Sequence, residues 1–293
     1  MAANPDDPRP TGADTGEPSP YVPAAQYLEP ERVIRELGEH GARRLRALSA
    51  SRVLVLGVLA GAFITTGALF SALLAAGTDN PGIERLLEGF AFSSGFFFVI
   101  LSGAALFTEA NVVMPATALR HEPGLTAARI ARFWALALAG NAIGSLLVAY
   151  ALHLAQHYPA DVTTLLDEIV DRKLAYRATG GTGAWFQIVG SGVLANWLVG
   201  MAAFFATMAR TIVGKYIPVF LAVTTFVAAN FQHSPANLAY FAIAESAGRG
   251  PGWDVALGWS VVPAGIGNII GGSLLVVLPF CYQTWRPAAK LRP

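Results

Sequence analysis

From residue 51 onward the chain alternates long apolar runs with short polar interruptions. Six such runs, at roughly 51–77, 87–119, 128–154, 184–209, 216–245 and 258–283, are dominated by Leu, Val, Ile, Ala, Gly and Phe. A helix of about twenty apolar residues crosses a hydrocarbon layer of about 30 Å. The pattern therefore predicts six transmembrane helices. Two of the runs are broken by polar residues, the second at LFTEAN (Leu106–Asn111) and the fifth at FQHSPAN (Phe231–Asn237). Ahead of the first run, residues 26–50 predict an amphipathic helix with Val33, Ile34, Leu37, Leu45 and Leu48 as its apolar positions. Residues 1–25 are rich in Pro, Asp and Gly and are expected to be a disordered tail.

The two halves of the apolar region resemble each other. GVLA at Gly57–Ala60 recurs at Gly192–Ala195, and GNAIGSLLV (Gly140–Val148) recurs as GNIIGGSLLV (Gly267–Val276) with one more glycine. LFTEAN and FQHSPAN fall at matching places between these anchors. With three spans in each half, the second half must enter the bilayer upside down relative to the first. The expected architecture is an all-α membrane protein of six spans, a 3+3 inverted repeat with broken second and fifth helices.

Composition agrees with this class. The chain of 293 residues is 54% hydrophobic and only 13% charged, where soluble domains average about 25% charged. Arg43, Arg44, Arg46, Arg52, Arg120, Arg129, Arg132, Arg210 and Lys215 flank one side of the predicted spans. Arg85, Arg172, Lys173, Arg177 and Arg249 share the other with most of the nearby acids. The asymmetry puts both termini in the cytoplasm of a multi-pass protein of the plasma (inner) membrane. A net charge of +1 gives no case for nucleic-acid binding. The single cysteine, Cys281, excludes an internal disulfide framework or a Cys-based metal site, and nothing calls for a cofactor. No cleavable signal peptide is visible in the polar, proline-rich start.

The breaks carry the candidate chemistry. Backbone that leaves the helix at mid-membrane is tolerated only where protein or a water-lined cavity satisfies it. Ser234 is a good N-cap and Pro235 suits a first helical position, predicting a half-helix of roughly 16 Å to about Glu245. Thr108 can cap a matching half-helix from Glu109 to about Leu119. Two such N-termini aimed at the midplane would favour an anion there without a buried cation. His233 lies at that point, and an ionisable group within a span usually marks a pathway; it can donate a hydrogen bond or a proton to a small weak acid. Asn196, isolated in the fourth run, either bonds across helices or lines the site. Glu109 is either a structural carboxylate or a proton acceptor on the inner side. Phe92 and Phe96, one turn apart, can form an apolar constriction that stops hydrated ions and passes a neutral acid.

LFT followed by a polar turn, GVLANWLV in the fourth run, and F-x-H-S-x-A-N in the fifth resemble the formate/nitrite transporter family over roughly residues 30–285. The resemblance implies an aquaporin-like fold assembled as a homopentamer with one pore per subunit. Residues 51–285 would then be the transport domain and 286–293 a cytoplasmic C-terminal tail. It implies small monovalent anions such as formate or nitrite as substrates, together with protons. Carried over by position, His233 is the central histidine, Thr108 the threonine of the second-span loop and Asn196 the asparagine of the fourth span. Gln232 and Ser234 flank or follow the histidine in the pathway, and the constrictions fall on Phe92, Phe96, Phe226 and Val199. Two departures stand out. Gln232 replaces the glutamate that many members carry before the histidine, and the family lysine ahead of the fourth span falls near Gly180, with Lys173 and Arg177 close enough to substitute. Alternative readings are an aquaporin-like pore for a small neutral solute and a transport-inactive accessory protein; an enzyme using Ser234 or His233 lacks any base and orienting group.

Overall fold

A computed structural model describes residues 27–120 and 125–284, so the tails expected at 1–25 and 286–293 lie outside the described residues. Among the described residues the regular structure is helical, with one isolated bridge joining Tyr27 to Ala209. The α-helices are α1 (Pro30–Ala47), α2 (Ala50–Ala75), α3 (Pro81–Ser102), α4 (Phe107–Val113), α5 (Ala127–Ala155), α6 (Ala160–Thr179), α7 (Gly181–Met208), α8 (Ile212–Ala228), α9 (Ser234–Ser246) and α10 (Trp253–Thr284).

Five of these, α2, α3, α5, α7 and α10, are long and apolar enough to cross a membrane. The fifth apolar run supplies no continuous helix of that length. It is divided between α8, of 17 residues, and α9, of 13 residues. The second run is likewise divided. α3 ends at Gly103, whose φ of 68° is the left-handed geometry glycine adopts most readily. The chain resumes as α4 and then a short 3-10 helix, Pro115–Arg120. The half-helix expected to run to Leu119 is thus only seven residues of α-helix.

Packing follows the small residues. α2 lies along α5 and α7 along α10. A Cβ on Gly140 would stand 2.6 Å from the carbonyl oxygen of Leu54, and one on Gly192 would stand 2.6 Å from that of Ala264. Both crossings therefore require glycine, at the places where the GVLA and GN-x-I-G stretches meet. Two parts of α10, Leu257–Val261 and Gly271–Val277, are π-helical. The second covers the extra glycine of GNIIGGSLLV, and a π turn is how a helix absorbs one added residue without breaking.

Two helices lie outside the membrane-length set. α1 buries Val33, Ile34 and Leu37 against α4, the 3-10 helix, α7 and α10, so it packs on the bundle along its length. α6 occupies what the hydropathy pattern left as a loop. Its buried residues Val162, Leu165, Leu166, Ile169, Val170 and Lys173 follow the spacing of one helix face. Val55, Leu147, Leu154 and Leu278 are among many large apolar residues left exposed, as a lipid-facing surface requires.

Candidate functional site

Each of the two interruptions is tied down by one asparagine. Asn141 on α5 accepts the backbone N–H of Phe107, first residue of α4, at 2.9 Å, and donates to the carbonyls of Gly57 and Ala105 at 2.9 and 3.0 Å. Asn268 on α10 accepts the backbone N–H of Ser234, first residue of α9, at 2.9 Å, and donates to the carbonyls of Gly192 and Gln232 at 2.9 and 3.1 Å. Both side chains are fully buried. Each satisfies a helix N-terminus and a loop carbonyl that the break would otherwise strand in an apolar interior.

These clamps alter the expected caps. Ser234 is not the N-cap of α9; its hydroxyl donates to Asn268 Oδ1 at 2.9 Å. The cap is His233, whose Nδ1 accepts the N–H of Ala236 at 3.3 Å. Asn268 has already taken the Ser234 N–H, and Pro235 has none to give, so the Ala236 N–H is the next that needs an acceptor. Thr108 does not cap α4 either. It lies in the first turn, and its Oγ1 meets His233 Nε2 at 2.8 Å. With Nδ1 accepting from backbone, this network assigns the proton of a neutral ring to Nε2, which then donates to Thr108. The threonine hydroxyl keeps its own hydrogen for another acceptor.

The N-terminus of α9 has no spare donors. Ser234, Ala236 and Asn237 give their N–H groups to Asn268, the His233 ring and the His233 carbonyl. An anion near the start of α9 would therefore meet the positive end of the helix and not free N–H donors. What faces outward from the clamp is the His233–Thr108 pair itself.

A cavity lies on either side of that pair. One, of about 300 Å³, is bounded by α3, α6, α8 and α9 and is lined by Arg85, Glu88, Phe92, Arg172, Lys173, Phe226 and Asn230 among others. The other, of about 480 Å³, is bounded by α1, α3, α4, α7 and α8 and includes His40, Arg43, Arg44, Val99, Glu109, Ala203, Arg210 and Lys215. His233 touches Phe226, with ring centroids 5.1 Å apart, and Phe226 meets Phe92 edge-on at 6.0 Å. Phe96 lies one turn along α3 between Phe92 and Val99, and Val199 one turn before Ala203 on α7. Phe92, Phe96, Phe226, Val199 and His233 are each at most 2% exposed, and Thr108 is fully buried. The material between the cavities is a short apolar layer with one imidazole and one hydroxyl in it.

Charged groups in the cavities are unusually enclosed. Lys173 reaches Phe231, donating from Nζ to its carbonyl at 3.2 Å, and is 5% exposed. Burial, aided by Arg172 and opposed by Glu88, lowers its pKa to about 7. Arg172 pairs with Glu84 and Glu88. On the other side Arg44 meets Glu109 at 3.3 Å, donates to the Ala104 carbonyl and lies over the Phe133 ring. Burial, with Arg44 and Arg43 nearby, lowers the pKa of His40 to about 4.

Asn196 bonds across helices. Its Nδ2 donates to the carbonyls of Asn268 and Thr108 at 2.7 and 3.2 Å, and to Asn111 Oδ1 at 3.3 Å. Gln232 turns away from the cavities; its Oε1 accepts from Asn237 at 2.7 Å and from Ser260. Of the expected site residues, His233, Thr108, Phe92, Phe96, Phe226 and Val199 gather around the layer. Asn196, Gln232 and Ser234 brace it, and Glu109 lines the larger cavity. The sequence reading missed Asn141 and Asn268, although both are polar residues inside apolar spans, a signal it used for His233 and Asn196. It also missed the buried partnership of Arg44 with Glu109.

The chain resembles known proteins over most of its length. The sequence model described as formate/nitrite transporter matches residues 31–282. A probable formate transporter of Methanothermobacter thermautotrophicus is 28% identical, over 79% of this chain and 88% of its own. A structure described as an FNT family ion channel superposes with a TM-score of 0.72 at 22% identity, covering 87% of this chain and 99% of that one. A pentameric formate channel with formate bound gives a TM-score of 0.66 at 22% identity, covering 80% and 97%. With a match that spans most of its length and several membrane-length helices, this multi-pass membrane protein belongs to the formate/nitrite transporter family.

Proposed function

We propose that the chain conducts small monovalent weak-acid anions, formate or nitrite foremost, past the His233–Thr108 pair. The observation that carries this reading is the 2.8 Å contact between His233 Nε2 and Thr108 Oγ1, set between two cavities whose linings carry both charges with cations in excess. An anion is drawn into the smaller cavity by Lys173 and its neighbours. Stripping it of water in the Phe92–Phe226 layer is costly for a charge and cheap for a neutral acid. The Thr108 hydroxyl, polarised by the imidazole N–H, donates to the substrate oxygen as water is lost. A proton that joins the anion at this point, taken from the water of the cavity while His233 stays neutral and keeps its N–H bond to Thr108, lets it cross as the acid.

The larger cavity, beside α1, is the cytoplasmic mouth, and the one beside α6 faces outward; the lysine and arginine distribution supports this. Both termini are then cytoplasmic and the protein resides in the inner membrane. The equal clamps of Asn141 and Asn268, and the glycine crossings at Gly140 and Gly192, support a 3+3 inverted repeat with breaks in its second and fifth spans. A homopentamer is the assembly named for one structural relative, and we extend it to this chain.

The test is uptake of formate and nitrite by proteoliposomes between about pH 5 and 8, beside empty vesicles and a glycerol swelling control. Uptake well above empty vesicles supports the reading. Glycerol swelling without anion uptake would point to a neutral-solute pore instead.

A further inference from the structure

A third cavity, of about 380 Å³, lies between the end of α1 and the first turns of α2 and α5. Its polar lining is Arg44, Arg46, Arg129, Arg132 and Ser49, and no acid is part of it. Arg44 is held by Glu109. Arg129 and Arg132 are exposed and form no ion pair among the described residues. They also sit at the wrong end of α5. Its first turn contains no acid, so two cations stand at the positive end of a helix dipole, an arrangement that an arriving anion relieves.

Beyond the arginines the same face of α5 becomes apolar. Arg129, Arg132, Leu136, Ile143 and Leu147 recur at helical spacing on one stripe, and Ile143 and Leu147 are 42% and 60% exposed. From Leu136 to Leu147 the stripe runs roughly 16 Å, about half of a hydrocarbon core. The stripe borders the contact with α2 at Gly140, and Asn141, which reaches inward to α4, lies off it.

We propose that the cavity holds the phosphate headgroup of an anionic phospholipid, with an acyl chain lying along the Leu136–Leu147 stripe. A free phosphate would satisfy the arginines alone. The apolar continuation, one leaflet deep and aligned with them, fits a lipid. Basic pockets at the membrane boundary take such headgroups because the charge is neutralised where the local dielectric is low.

The test uses the full chain in detergent, titrated with phosphatidylglycerol, with phosphatidylcholine of the same acyl chains, or with inorganic phosphate. Melting temperature and lipid retained in native mass spectra are read together. Phosphatidylglycerol is expected to be retained and to raise the melting temperature, and phosphatidylcholine to do neither. In the Arg129→Gln/Arg132→Gln double variant about tenfold more phosphatidylglycerol is expected for the same shift. Arg32→Gln/Arg35→Gln, an equal charge change on the exposed side of α1, is expected to respond as wild type. Should the glutamine pair not fold, Arg129→Ala and Arg132→Ala singly are each expected to weaken the response by a few fold. An unchanged response in the arginine variants, an equal effect of phosphatidylcholine, or full reproduction by inorganic phosphate would overturn the proposal. So would variants that break the assembly while retaining lipid normally, which would make this face a contact between copies.

Discussion

His233 Nε2 and Thr108 Oγ1 lie 2.8 Å apart, the imidazole at the start of α9 and the hydroxyl in the first turn of α4. Neither group can be moved alone, because His233 is also fixed by its Nδ1 to the Ala236 N–H. Removing the hydroxyl leaves a buried N–H without a partner, which costs about 1–3 kcal/mol. Thr108→Ala is therefore expected to slow formate uptake roughly ten- to a hundredfold, while Thr108→Ser retains most of it. Equal losses in both variants would show that the methyl group, not the hydroxyl, matters.

Asn141 and Asn268 make matching bonds, each accepting the first N–H of one helix and donating to one loop carbonyl and one helix carbonyl. Asn141→Ala and Asn268→Ala should each strand a helix-start N–H and a loop carbonyl, at about 1–3 kcal/mol apiece. Both variants are expected to melt well below wild type in detergent, by similar amounts. A large effect of one and none of the other would contradict the proposed inverted repeat.

Arg44 and Glu109 form a pair whose side chains are 8% and 10% exposed. Arg44→Ala is expected to destabilise by roughly 3–5 kcal/mol, because it leaves a carboxylate enclosed without its cation. Arg44→Met with Glu109→Gln removes both charges and should recover much of the loss. Thermal melts of the single and double variants separate these outcomes.

An entry role for Lys173 predicts a pH dependence of uptake with a definite sign. Its pKa, lowered to about 7 by burial and by Arg172 against the pull of Glu88, leaves the ammonium charged below that value and neutral above it. Any attraction of the smaller cavity for anions through Lys173 is then lost as pH rises from about 6 to about 8. Lys173→Arg keeps the charge throughout. Its uptake is expected to fall less steeply than that of wild type across this window, and identical pH profiles would remove Lys173 from the entry step.

The membrane-length helices were legible because each keeps about twenty apolar residues together. Caps were harder to read. Ser234-Pro235 has the local signature of a helix start, but Asn268 from a distant helix takes the serine, and His233 becomes the cap. Tertiary hydrogen bonding overrode a correct local preference. α6 was hidden because Asp161, Asp167, Glu168, Asp171 and Arg172 dilute its hydropathy, while its buried stripe at Val162, Leu165, Leu166, Ile169 and Val170 keeps helical spacing. The burial of Arg44 could not be foreseen from a run of three arginines in which Arg43 is exposed and Arg44 is not.

The most direct test of the pathway is the rate of labelled formate uptake into proteoliposomes at about pH 6, compared between wild type and His233→Phe reconstituted in equal amounts and with matching melting temperatures. Passage through the imidazole and hydroxyl layer predicts rapid uptake by wild type and a loss of most of it, or of its proton dependence, in the variant. Uptake by the variant at the wild-type rate and with the wild-type pH response would contradict it.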